Sequence, residues 1–111
     1  MLVNFDRNIK ALDGTDLVER DQQSGELKPV PMKDLIVGAL LANNPGETLS
    51  GIDKFHRGKL AEKVFAGGDI ELPIEDVTKI KDVIGSYCTP LVVFQIFDYI
   101  EGYKLAANSP A

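Results

Sequence analysis

The residues able to do chemistry are few in this chain: one histidine, His56, and one cysteine, Cys88, among 111 residues with no tryptophan. A Ser-His-Asp site would have to use His56, yet no serine sits in a Gly-x-Ser-x-Gly elbow, the strained turn that presents a nucleophile. A Cys88–His56 couple is formally possible. Cys88, however, falls on an apolar helical stripe, where a buried and unreactive thiol is the ordinary outcome. Metal chemistry finds no better footing. His56 has no second His or Cys at ligand spacing, and the calcium loop of alternating Asp/Asn, a central Gly and a terminal Glu is absent. Gly67-Gly68-Asp69 lacks the Gly-Lys-Ser/Thr that completes a phosphate loop, so the glycine pair reads as a helix stop. Glu75 and Asp76 open a helix, where their charge offsets the N-terminal dipole. The expectation is a protein without catalytic residues, cofactor or metal.

Two features could carry binding instead. At 100° per residue, His56, Lys59 and Lys63 lie within about 60° of one another, a short basic stripe opposite Leu60, Ala61 and Val64. Such a stripe could meet phosphate or an acidic partner, or be only the solvated face of an amphipathic helix. Three positive groups are few for tight nucleic-acid binding at physiological salt. The second feature is the final helix, where Leu91, Val92, Val93, Phe94, Ile96, Phe97, Tyr99, Ile100 and Tyr103 leave a narrow polar strip. A helix apolar over most of its circumference is central in a core or covered by another chain. Phe97, Tyr99 and Tyr103 are the candidate interface residues, since tyrosine suits surfaces where ring and hydroxyl meet different surroundings.

The elements that must position these residues can be read along the chain. Asp13-Gly14 predicts a two-residue hairpin turn between Ile9–Leu12 and Thr15–Val18, with positive φ at both positions. Glu19 to Gly25 reads as an exposed loop, and Leu27-Lys28-Pro29-Val30 as an edge strand, because proline cannot donate to a central ladder. A buried helix is expected over Met32–Asn43, ended by Asn43-Asn44-Pro45-Gly46. A second runs from the N-cap Ser50 to Ala66. Gly58 inside it suggests a close helix crossing or an irregular segment. Asp69–Leu72 could be another short strand. Pro73 starts a third helix with Ile74, Val77, Ile80, Ile84 and Cys88 on one side, the cleanest amphipathic pattern in the chain. Thr89-Pro90 opens the last helix, to about Lys104, and residues 106–111 should fray. The expected fold is therefore one α+β domain over residues 1–105: a small N-terminal antiparallel β-hairpin or sheet followed by about four packed helices.

Composition bounds the setting. The formal charge of −5, from 12 basic and 17 acidic residues, argues against whole-surface attraction to nucleic acid. The acidic residues are dispersed, without a block of five or six. No apolar run approaches the roughly 20 residues of a membrane span, and Met1–Asp6 lacks a signal-peptide pattern. With a single cysteine the chain is expected to be soluble and cytoplasmic, without a membrane partner.

Taken in order, several segments resemble small phage- and prophage-encoded proteins of uncharacterised function. They are Ile9-Lys10-Ala11-Leu12-Asp13-Gly14, Ala39-Leu40-Leu41, Leu49-Ser50-Gly51 before the Leu60-Ala61-Glu62-Lys63-Val64 helix, Ile70-Glu71-Leu72 through Ile80-Lys81, and Pro90-Leu91-Val92-Val93. The likeness spans about residues 5 to 103, although such proteins usually carry a Ser or Asp cap where this chain has Pro73. The resemblance implies a bacterial host cytosol and no known reaction, and it transfers no functional residues. The leading expectation is a non-enzymatic accessory protein acting through protein–protein interaction, by self-association or by binding a host or phage protein. The alternative is a nucleic-acid-binding regulator using the basic helix face.

Overall fold

The computed structural model describes residues 1–42 and 48–108, with backbone alone for residues 103–108. The domain is α+β. Its elements in chain order are β1 (Leu2–Asn4), β2 (Val18–Arg20), β3 (Leu27–Pro29), α1 (Met32–Leu41), α2 (Gly51–Phe65), β4 (Asp69–Glu71), α3 (Ile74–Tyr87) and α4 (Pro90–Asn108). The expected stop at Asn43–Gly46 lies outside the described residues. Of the tail expected to fray, residues 106–108 continue α4, and 109–111 lie outside the described residues.

Two small antiparallel pairs replace a continuous sheet. β2 pairs with β3, Glu19 opposite Lys28, and both strands are exposed throughout. β1 pairs with β4 across the length of the chain, Val3 opposite Ile70. The Asp13-Gly14 turn differs from expectation. Only Gly14 has positive φ, 87°, while Ala11 N–H donates to Thr15 O at 2.7 Å. The loop is thus three residues, Leu12–Gly14. The Asp13 side chain takes the Thr15 N–H and hydroxyl instead of adopting a left-handed backbone.

Helix α1 is packed between α2 and α3, and α4 closes the other side of α3 and lies on β1. Ile36, Ile80, Ile84, Ile96 and Ile100 are all buried, joined by Val3, Phe5, Ile9, Leu40, Val64 and Leu72 in one core. Full burial of such a side chain is worth about 1.5–3 kcal/mol, which is what holds these short elements together. Ser50 caps α2, its hydroxyl accepting from Asp53 N–H at 3.1 Å. Gly67 and Gly68 end that helix with φ of 76° and 71°. Asp6 receives the Gly68 N–H at 2.7 Å and faces Lys33 at 3.5 Å, pinning the chain after β1 to the turn before β4. Gly58 sits in a continuous helix, and a Cβ there would meet nothing within 4 Å, so neither a close crossing nor an irregular segment explains it.

Candidate interaction surfaces

Helix α2 buries one side and bares the other. Leu60, Ala61 and Val64 face the core, while every residue from Gly51 to His56 is exposed. Helical spacing gathers Ile52, Phe55, His56, Lys59 and Lys63 along one outer ridge. Ile52 is 69% exposed and Phe55 60%. Lys59 Nζ lies 5.9 Å from the centre of the Phe55 ring, and His56 meets that ring edge-on at 5.8 Å. The sequence expectation placed the basic residues correctly on the exposed face of α2, but it missed the apolar pair among them. The signal was available, because Ile52 and Phe55 fall on the same stripe by the same arithmetic.

Beside the ridge, His56, Lys59, Leu60 and Lys63 form one wall of a cleft of about 370 Å³ between α2 and α3. The other wall carries Glu75, Asp76 and Lys79. The basic stripe therefore faces two carboxylates from the first turn of α3, and the cleft presents both signs of charge. A phosphate backbone, which needs a run of uncompensated cations, is poorly matched here.

The same geometry bears on the Cys88–His56 couple. His56 lies beside the N-terminal turn of α3, whereas Cys88 caps that helix at its far end. From Glu75 to Cys88 the helix rises about 20 Å at 1.5 Å per residue. Cys88 is half-buried just past the last helical residue rather than within the helical stripe, and burial pushes its thiol pKa up. Both the separation and the suppressed thiolate work against a nucleophilic pair. Among the described residues, no group of three His, Cys, Asp or Glu could hold a metal ion.

The aromatic residues of α4 are used largely within the fold. Tyr99 is half-buried, its hydroxyl donates to the Asn4 carbonyl, and its ring lies 6.2 Å from Phe5. Phe97 is half-buried against Gly85, with Lys81 Nζ 5.6 Å from its ring. The Tyr103 side chain lies outside the described residues. Among the described side chains of this helix, Phe94 is the bare aromatic residue, 62% exposed.

Phe94 borders a second cleft, of about 320 Å³, between α4 and the Arg7–Gly14 segment. Gln95 holds that segment in place: its amide oxygen accepts from Lys10 N–H at 2.7 Å, and its amide nitrogen donates to the Lys10 carbonyl. Lys10 Nζ and the Asn8 amide both engage Asp16. The Arg7 guanidinium stacks on Tyr99, 4.5 Å from the ring centre.

No family model, curated protein or solved structure matches this chain. Among the described residues, no helix is long and apolar enough to cross a membrane.

Proposed function

We propose that this protein is a non-enzymatic accessory protein of the phage or prophage type that works by docking another protein on the outer ridge of α2. The observation that carries the reading is the exposure of Ile52 and Phe55 on a helix whose opposite side is packed. Large apolar side chains on a helix ridge, flanked by charged groups, match the centre-and-rim anatomy of protein interfaces. The charges around the ridge choose the class of partner. Lys59, Lys63 and Lys79 stand near Glu75 and Asp76 in the cleft beside it, a balance that suits a protein surface better than nucleic acid. The partner's matching surface is an apolar socket for Phe55 with carboxylates at its rim for Lys59 and Lys63. The phage-type setting rests on the sequence likeness alone.

The test is capture from bacterial lysate with the wild type and with an Ile52→Ser/Phe55→Ser variant, each with and without nuclease, then binding of the purified partner. A protein that survives nuclease, is lost with the variant, and binds wild type directly supports the reading. Covering the exposed 60% of Phe55 removes about 90–150 Å² from water, worth about 2–4 kcal/mol, so direct binding should weaken at least about 30-fold. Equal recovery by both forms refutes the ridge. Material that vanishes with nuclease and with Lys59→Glu/Lys63→Glu returns the reading to nucleic acid.

A further inference from the structure

From the cleft between α4 and the Arg7–Gly14 segment, we infer a recognition site for the C-terminal apolar residue of a polypeptide. Arg7 is one of the cleft's two cations. Its side chain is exposed, and its guanidinium carbon lies 4.5 Å from the centre of the Tyr99 ring, a ring itself held by the Asn4 carbonyl and Phe5. Among the described residues no carboxylate forms an ion pair with it. The second cation of the cleft, Lys10, is already committed to Asp16. The site therefore offers one guanidinium fork placed over an aromatic ring, the group best matched to a single carboxylate.

The remaining lining specifies what must accompany that carboxylate. Leu12, 88% exposed, and Phe94, 62% exposed, are large apolar groups of its lining, joined by Ala11 and the buried Met32. They supply contact for an aliphatic or aromatic side chain. Asp98 also lines the cleft, one helical turn after Phe94, and is an acceptor without an ion-pair partner among the described residues. It disfavours a dianion and favours a ligand bearing an N–H. A carboxylate, an adjacent N–H and an apolar side chain together describe the last residue of a peptide chain. The cleft walls are set in advance, because Gln95 fastens both backbone groups of Lys10 to α4. This site is separate in its residues from the α2 ridge, and its failure would leave that reading untouched.

The test is a two-dimensional NMR titration of the whole chain with N-acetyl-L-phenylalanine, compared with N-acetyl-L-phenylalaninamide and free L-phenylalanine. Saturable shifts at Arg7, Leu12, Phe94 and Asp98, at least tenfold weaker for the amide, are expected. Arg7→Met should weaken N-acetyl-L-phenylalanine about tenfold or more, as loss of a charge-assisted bond implies, and Arg7→Lys should weaken it less. Retained thermal unfolding in both variants excludes a folding defect. Tighter binding of free phenylalanine would overturn the chain-end assignment in favour of a free amino acid. No saturable binding of the acetylated probe, or equal binding of its amide, would overturn the site.

Discussion

Replacing Tyr99 by Phe separates a structural α4 from an interfacial one. The substitution removes one hydroxyl and keeps the ring, so the Phe5 contact and the Arg7 stacking survive. What is lost is the bond to the half-buried Asn4 carbonyl, which ties α4 to the end of β1. A neutral hydrogen bond contributes about 0.5–1.5 kcal/mol net, and partial access of water to Asn4 limits any further penalty, so about 1 kcal/mol is expected. Tyr99→Ala also gives up a half-buried ring and the stacked guanidinium. Half of the 3–5 kcal/mol seen for buried aromatics and about 0.5–1 kcal/mol for the cation, added to the hydroxyl bond, bring that variant to about 4 kcal/mol. Urea unfolding followed by circular dichroism reads both, as shifts of midpoint at constant slope. For a domain of this size the first corresponds to roughly 4 °C in melting temperature. If both variants unfold within about 0.5 kcal/mol of wild type, Tyr99 contributes nothing inside the fold and the reasoning fails. A change confined to the oligomeric state in analytical ultracentrifugation would instead place Tyr99 at a subunit interface.

Other substitutions and conditions test other parts of the structure. Gly67→Ala should destabilise by about 1–2 kcal/mol, because φ is 76° and the new Cβ would approach Asp6 Oδ1 at 3.0 Å; Gly58→Ala should stabilise by about 1 kcal/mol, having open space in a regular helix. Thermal melts of the two variants should move in opposite directions. Acid should loosen the 10–16 and 21–28 turns first. Asp21 is lowered by Lys28 and the N–H groups of Gln23 and Ser24, Asp16 by Lys10 and Asn8, and Asp13 by Thr15. Lowered carboxylates stabilise the fold above the unfolded value of about 3.9, and that contribution disappears as pH falls through their folded values. Amide exchange at pH 5 and pH 2.5 should show protection lost at these turns; unchanged protection would contradict the assignment. Burial raises the Cys88 pKa, so at pH 8 a disulfide reagent should react more slowly with folded protein than with protein in urea, and equal rates would refute it.

Local chemistry in the sequence determined much of this protein. The Ser50 cap, the Gly67-Gly68 stop, the proline starts of α3 and α4 and the stripe from Val77 to Ile84 act within a few residues, so composition and spacing suffice to place them. The α+β class follows from the same short-range signals. Only the tertiary structure decided the pairing of β1 with β4, since a three-residue strand carries no information about a partner nearly 70 residues away. It also decided which apolar residues of α4 are core: Tyr99 turns inward because the Asn4 carbonyl and Phe5 meet it, while Phe94 is left at a cleft rim. Ile52 and Phe55 show the same limit from the other side. Their stripe was legible in the helical period, but their exposure depends on α1 packing against the opposite face of α2 and on none of the described elements crossing the ridge. Periodicity says which residues share a face; only packing says whether that face is covered.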